Sequence, residues 1–173
     1  MREFWKLFSW NLATLNEESP VLPHGLQLRI ANKGEETIVQ SLVARSFSTD
    51  SQWNGSFSRI ADSLRDRIHE AFRSQSSPAL VIHHGPRIIA AACFSTEEDA
   101  DNHLYCGPCV LPEYRSRGLA TSLLLESLRT LKSLDVHVAR AVCKDGTTAC
   151  KFVYTKFHSV CDAYDTEPFA TLS

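Results

Sequence analysis

The chain has 173 residues and a net charge of −2 at pH 7, with 43% apolar and 22% charged residues. This composition is typical of a globular chain with a packed core, and the length predicts one domain of ordinary size. Lys and Arg are dispersed without a basic run, which disfavours binding to a nucleic-acid backbone.

The cysteine content and the first residues predict a cytoplasmic protein. Cysteines stand at positions 93, 106, 109, 143, 150 and 161. The opening stretch MREFWKLFSW lacks the uninterrupted apolar core of a secretory signal, because Glu3 and Lys6 lie within it. No window approaches about 18 consecutive apolar residues, so we expect no membrane-spanning segment. Reduced thiols are the simplest expectation in this setting.

Residues 1–25 are predicted to be an N-terminal extension, partly helical, that precedes a domain at residues 26–173. The apolar residues of the extension follow a partly helical pattern that Pro20 and Pro23 end, namely Phe4, Trp5, Leu7, Phe8, Leu12 and Leu15. A helix lying on a membrane surface is disfavoured because the polar face is not basic. Packing against the body of the protein or a second subunit is favoured, which leaves a homodimer open.

From Leu26 onward the apolar periodicity alternates between two and about four residues, which predicts the element order β-α-α-β-β-β-α-β-α-β. The predicted strands are 26–32, two strands within 78–95 joined at His84-Gly85-Pro86, 102–111, 136–143 and 159–164. The predicted helices are 35–47, 58–72, 119–134 and 147–157. The third of these is the strongest, because its leucines form a continuous stripe.

The stretch Cys106-Gly107-Pro108-Cys109 has the spacing of a redox dithiol. In such a site the first Cys caps a helix. Here Pro112 pushes the preceding residue toward extended geometry, so the next helix cannot begin before about Ser116. A dithiol oxidoreductase is therefore a disfavoured alternative. Metal binding through His103 is also disfavoured, because a structural zinc needs four ligands and no second cluster is present in the sequence.

Residues 115–121 predict an anion-binding site. A loop with Arg115 and Arg117 leads through Gly118 and Ala120 into an amphipathic helix. The first amides of a helix have no internal partner and carry the positive end of its dipole. Gly118 lets a ligand approach the backbone closely, so the turn suits a pyrophosphate. The sequence contains neither a P-loop nor a complete dinucleotide fingerprint.

The segment VLPEYRSRGLA, residues 110–120, resembles the coenzyme A loop of the GNAT N-acetyltransferases, and the element order over residues 26–165 is similar to that of the GNAT fold. The resemblance implies an α/β (α+β) fold, with a mixed central sheet splayed between its fourth and fifth strands and flanked by helices. It also implies acetyl-CoA as cosubstrate. The implied reaction is direct attack on the thioester by a primary amine of a small-molecule or peptide acceptor in a ternary complex.

The resemblance further implies which residues form the site. The residues expected to bind the cofactor are Cys109, Val110, Arg115, Ser116, Arg117, Gly118, Leu119, Ala120, Thr121 and Thr147. Gly107 and Pro108 are expected to mark a bulge or the opening of the sheet, since Pro cannot donate to a strand ladder. Tyr154 corresponds to the general acid of the family. A phenol of pKa near ~10 is protonated at neutral pH and can donate to a thiolate of pKa about 8.5.

Departures from the family pattern leave two questions open. Thr147 stands where the family usually has Asn, and His158-Ser159 stands where it has Gly-Phe. The strand carboxylate of some members would fall near Leu104, so the general base is unassigned, with His83, Glu97, Glu98 and His103 as candidates. These departures keep open a GNAT-like module that binds acyl-CoA without catalysis. Trp53 and Phe57 are candidates for the wall of an acceptor pocket.

Overall fold

A computed structural model describes residues 4–53, 57–74 and 79–165. Within these ranges the strands are β1 (Trp5–Asn11), β2 (Leu26–Ile30), β3 (Ala79–His84), β4 (Arg87–Cys93), β5 (Cys106–Val110), β6 (Val138–Lys144) and β7 (Val160–Tyr164). The α-helices are α1 (Glu36–Ser48), α2 (Phe57–Arg73) and α3 (Leu119–Ser133). Shorter helical turns include the 3₁₀ turns Lys33–Glu35, Ser51–Trp53 and Pro112–Tyr114 and a π-helical turn at Ala149–Val153.

The strands form two sheets, with the orders β2-β3-β4-β5 and β6-β1-β7. Every strand pair in the described ranges is antiparallel. The predicted α+β fold class is confirmed, and the strands and first three helices from Leu26 follow in the predicted order. Two antiparallel sheets stand in place of one mixed sheet, and a π-helical turn stands in place of the last predicted helix. The residues before β5 connect the two sheets, because the amides of His103 and Leu104 donate to the Arg140 carbonyl at 2.8 and 3.2 Å. A splay between β5 and β6, the fourth and fifth strands counted from Leu26, stays a prediction.

The helical pattern predicted near the N-terminus is wrong for residues 5–11, which form strand β1. This strand lies between β6 and β7 and pairs with both. Phe8, Trp10 and Leu12 are all buried and alternate along the chain, so a period of two describes the segment better once Trp10 is counted. The last turn before the loop is 3₁₀-helical, at Leu12–Thr14.

Helix α3 begins at Leu119, as predicted, and the positive φ values of Ser116 and Gly118, 65° and 77°, exclude an earlier start. Positive φ is incompatible with a right-handed helix, so the chain can enter the helix only after Gly118. The predicted leucine stripe faces the core, with Leu119, Leu123, Leu124, Leu128 and Leu131 all buried. The helix packs against β4 and β5, and this contact places its first turn at the end of β5.

Strand β5 carries a bulge at Gly107 and Pro108, as the residue types predicted. Cys109 lies opposite Ala91 and Cys106 opposite Cys93, so two residues of β5 face Ala92 alone. A Cβ atom on residue 107 would lie 3.0 Å from the Ala92 Cβ. Only glycine therefore fits this approach between β4 and β5 without a shift of one strand.

Candidate active site

A cavity of about 570 Å³ lies between the end of β5, the start of α3, and strand β6 with the π-helical turn that follows it. The predicted site residues that line it are Cys109, Val110, Arg115, Ser116, Gly118, Leu119, Ala120, Thr121, Thr147 and Tyr154. Arg117 is the one predicted residue that is not in the lining. The fold thus brings together segments that are up to 45 residues apart in the sequence.

The loop before α3 presents a row of unpaired backbone donors to this cavity. Within the described residues, none of the backbone N–H groups from Ser116 to Thr121 donates a hydrogen bond, and the first helical bond is from the Ser122 amide to the Gly118 carbonyl. Ser116 and Gly118 are both left-handed, and alternating backbone conformations of this kind turn successive amides toward one point. Such a concave group of amides at a helix N-terminus suits a phosphate.

Gly118 leaves the space above this turn open. A Cβ atom placed on it would meet no atom within 4 Å, while φ is 77°. A ligand oxygen can therefore approach the backbone at a point that the side chain of any other residue would occupy.

The two arginines of the loop contact the protein itself. Arg115 donates from Nε to the Val110 carbonyl at 3.2 Å and from Nη2 to the Ser46 carbonyl at 3.0 Å. It therefore ties the loop to the end of β5 and the end of α1. Its side chain supports a ligand site indirectly, because it holds the loop in position. The Arg117 guanidinium lies 5.1 Å from the centre of the Tyr114 ring and makes a 3.4 Å contact with the Glu113 carbonyl.

The cysteines of β5 have no features of a redox dithiol. Cys106 and Cys109 are buried within a strand, and both thiols are free. A hydrogen bond with Cys106, together with burial, raises the pKa of the Cys109 thiol. A reactive dithiol needs the opposite, an exposed thiol whose pKa is lowered at a helix N-terminus. These two residues are thus packing residues of the strand that borders the cavity.

Tyr154 lies at the end of the π-helical turn with its hydroxyl directed at the bulge of β5. The phenol donates to the Gly107 carbonyl at 2.6 Å, and the ring packs against Phe8 and Trp10. The residue is only 3% exposed, and burial raises the pKa of the phenol well above its ordinary value. The side chain is therefore protonated at neutral pH, at the point where β5 borders the cavity.

The helix predicted over residues 147–157 is limited to the five-residue π-helical turn Ala149–Val153. Phe157 and His158 have positive φ values of 60° and 61°, which end helical geometry. The Thr147 hydroxyl donates to the Lys144 carbonyl at 2.8 Å and lies 3.3 Å from both the Cys150 amide and the Cys143 thiol. These contacts make Thr147 a cap of the turn and leave its hydroxyl engaged within the protein.

None of the four candidate bases lines the cavity. His103 is fully buried, with Nδ1 accepting from the Arg140 amide at 3.0 Å and Nε2 donating to the Glu97 carbonyl at 2.8 Å. Burial lowers the pKa of His103, so the ring is neutral and both nitrogens are engaged. Glu98 pairs with His137, and His83 Nδ1 lies 2.9 Å from the Gly85 carbonyl. Among the described lining residues the carboxylate belongs to Asp50, which the sequence pattern did not indicate.

The far end of the cavity is aromatic. Trp53, which the sequence suggested, lines it together with Phe47 and with Trp5 of β1. The Trp53 ring lies 4.8 Å from Phe47 and 6.0 Å from Trp5, between ring centres. Phe57 stacks behind Phe47 and does not line the cavity. The helical pattern predicted for residues 1–25 does not place Trp5 at the cavity, whereas its position in strand β1 does.

The described residues show neither a metal-binding cluster nor a membrane-spanning helix. No group of three or more His, Cys, Asp or Glu side chains is arranged to hold a metal ion there. None of the helices in those ranges is both long and apolar enough to cross a bilayer.

The sequence was also compared with models of known protein families and with known proteins. The family model for the acetyltransferase (GNAT) family matches residues 42–158. No curated protein matches the chain at a significant level.

Several solved structures are similar to the chain in fold. One is a Drosophila protein, with 15% identity over 94% of this chain and 49% of that chain and a TM-score of 0.66. Another is a GCN5-related N-acetyltransferase from Sphaerobacter thermophilus, with 17% identity over 93% and 49% of the two chains and a TM-score of 0.64. A third is a GCN5-related N-acetyltransferase from Kribbella flavida, with 16% identity over 92% and 55% and a TM-score of 0.55. The chain thus spans about half the length of these three structures.

Proposed function

Because the chain belongs to the acetyltransferase (GNAT) family, we propose that it transfers an acetyl group from acetyl-CoA to a primary amine. The observation that carries this proposal is the run of free amides from Ser116 to Thr121 at the wall of the cavity. A diphosphate needs several convergent donors, and this turn supplies them from the backbone alone. The cavity volume of about 570 Å³ is within the range of cofactor and substrate sites.

The proposed division of roles follows from the positions of the residues. The amides of residues 116–121 would hold the diphosphate, and β5 at Cys109 and Val110 would lie along the pantetheine arm. The acceptor amine would attack the thioester carbonyl, form the new C–N bond and release the thiolate of coenzyme A. Tyr154 is the proposed donor to that thiolate, and it must then turn its O–H away from the Gly107 carbonyl.

The proposed direction of entry places the acceptor at the aromatic end of the cavity. Trp5, Phe47 and Trp53 wall this end, and Asp50 and Ser46 supply polar groups. An aromatic wall binds both apolar groups and cations. A water molecule or Asp50 is the proposed acceptor of the proton that the amine loses.

The proposal is tested first through acetyl-CoA binding, measured by calorimetry, in the Gly118→Val variant. The β-branched side chain would occupy the open space above the amides, so we expect affinity to fall by about 10-fold or more, the equivalent of one or more lost hydrogen bonds to a charged group. Gly85→Val is the matched control, because Gly85 also has a positive φ of 56° and open space but lies outside the cavity. Equal affinity in the two variants would contradict a cofactor site at this turn.

A module that binds acyl-CoA without catalysis is the second candidate. It is favoured by one observation, namely that the hydroxyls of both Tyr154 and Thr147 are engaged with the protein. This candidate predicts saturable binding of acetyl-CoA without release of free coenzyme A in the presence of any amine. A thiol-release screen over amino acids, peptides, polyamines and aminoglycosides separates the two candidates.

A cytoplasmic location, a homodimer and the lack of nucleic-acid and membrane partners remain predictions from the sequence. All six cysteines are free thiols, which is compatible with a reducing compartment.

A further inference from the structure

A second cleft, of about 400 Å³, lies between helix α2 and the segment that follows β4. Its lining includes Ser63 and Arg67 from α2, Ser95 and Thr96 from the segment after β4, and Tyr105 just before β5. Neither the family pattern nor the proposed reaction gives these residues a role.

Arg67 is a charged side chain whose guanidinium lies over an aromatic ring. Its guanidinium carbon lies 4.2 Å from the centre of the Tyr105 ring, and within the described residues it forms no hydrogen bond or ion pair. Burial lowers the pKa of this guanidinium, although it stays charged. The side chain is half-buried, and within the described residues its N–H groups have no acceptor. A guanidinium of this kind in a cleft can donate to a ligand, which indicates a binding site.

Tyr105 connects this cleft to the main cavity, because it is a lining residue of both. The residue is buried, and its hydroxyl forms no hydrogen bond within the described residues. Helix α2 also runs past both spaces: Ile60 lines the main cavity, and Ser63 and Arg67 line the second cleft. These three residues follow one another on one face of the helix over about 10 Å, so the two spaces are neighbours along a single groove.

The second cleft presents charges of both signs. Asp66, Glu70 and Glu97 also line it, all three are exposed, and none forms an ion pair with Arg67. A purely anionic ligand would be repelled by these carboxylates, and a purely cationic one by the Arg67 guanidinium. A zwitterion satisfies both, with its carboxylate on Arg67 and its ammonium group drawn in by the rim before it reaches the main cavity as a neutral amine.

We propose that the acceptor is an amino acid, and that Arg67, which lies over the Tyr105 ring, binds its carboxylate. This inference rests on the proposed acetyl transfer, whose products would then be an N-acetyl amino acid and free coenzyme A. A guanidinium suits this role because its planar N–H groups match a carboxylate in a bidentate manner. The free hydroxyl of Tyr105 provides a further donor beside it.

The test compares each of four amino acids with its own amide as acceptor: L-alanine, L-phenylalanine, L-glutamate and L-lysine. The amide keeps the α-amine and the side chain and loses only the carboxylate. For at least one pair we expect kcat/KM to favour the acid by about 10-fold or more, as charge-assisted hydrogen bonds require. Arg67→Gln should bring that ratio close to one, and Arg67→Lys should keep part of it, because the charge remains without the planar fork.

Arg65→Gln is the matched control, since Arg65 is on the same helix, is exposed and pairs with Asp62. Its ratio should equal that of the unmodified protein. Equal kcat/KM for acid and amide in every pair, or a ratio unaffected by Arg67→Gln, would overturn the proposal while leaving acetyl transfer intact.

If no amine is acetylated, a binding experiment still decides the role of Arg67. Saturation-transfer NMR measures binding of the same compounds to the complex of the protein with coenzyme A. Binding of an acid but not its amide, lost in Arg67→Gln, supports it, and no such difference contradicts it.

Discussion

Arg115 and Thr147 are both used by the backbone of the protein, although the family resemblance assigns them to the cofactor. Arg115 joins the loop to α1 and β5 through carbonyl oxygens, and Thr147 caps the π-helical turn. A residue can therefore be necessary for a cofactor site because it holds the backbone in place rather than because it contacts the ligand. Such a residue affects affinity only through the position of the amides.

Tyr154 is the residue whose proposed role is most directly testable. Tyr154→Phe keeps the ring against Phe8 and Trp10 and removes only the hydroxyl. We expect kcat to fall by about 100-fold or more, as for the loss of a general acid, with little change in the Kd of acetyl-CoA. Steady-state thiol release and calorimetry measure the two quantities.

Tyr164→Phe in β7 is the control for this substitution, because it also removes one phenol hydroxyl, outside the cavity. A loss of the Tyr154 hydroxyl also leaves the Gly107 carbonyl without its donor, so unfolding in urea is measured in parallel. Unchanged kcat in Tyr154→Phe would reject the acid role. A fall in kcat matched by an equal loss of folded protein would assign Tyr154 to stability.

At the scale of elements, the bulge in β5 explains the Cys-Gly-Pro-Cys stretch without any redox chemistry. The bulge places two residues of β5 opposite Ala92, and the glycine allows the two strands to approach. Pro108 is tolerated because a bulge interrupts the ladder of hydrogen bonds. The same irregularity directs the Gly107 carbonyl toward Tyr154.

Gly107→Ala tests this account of β5. The added Cβ would lie 3.0 Å from the Ala92 Cβ, so one strand must shift, and we expect a loss of about 1–3 kcal/mol in the free energy of unfolding. Gly34→Ala is the control, since nothing lies within 4 Å of its Cβ position and its φ is not positive. It should change the free energy of unfolding by less than about 0.5 kcal/mol. Urea unfolding measures both, and equal effects would contradict the close approach.

At the scale of the whole molecule, β1 joins the N-terminal segment to the site. It pairs with β6 and β7, and its Trp5 reaches the aromatic end of the cavity. Trp10 is 1% exposed, packs against Tyr154, and donates from Nε1 to the Lys156 carbonyl at 2.8 Å. The first strand therefore supports the turn that positions the proposed acid.

Trp10→Ala tests whether β1 is integral to the fold. The loss of a large buried side chain predicts a decrease of about 3–5 kcal/mol in the free energy of unfolding. Val21→Ala, at a position that is 93% exposed, should change it by less than about 0.5 kcal/mol. Thermal and urea unfolding measure these differences. A small effect of Trp10→Ala would show that the segment is dispensable, as its interpretation as an extension implies.

The sequence alone was sufficient for the order of the strands and first three helices from Leu26, for the start of helix α3 after Gly118 and for the bulge at Gly107. Each of these depends on local physics: the period of apolar residues, the orphan amides of a helix start, and the backbone freedom of glycine. The tertiary structure decided the rest. That residues 5–11 form a strand depends on pairing with β6 and β7, and the engagement of Arg115 depends on a carbonyl 69 residues away. The sequence also could not show that Arg67 lies over Tyr105 and forms no ion pair within the described residues. Contacts between distant segments follow from packing and not from the pattern of neighbours in the chain.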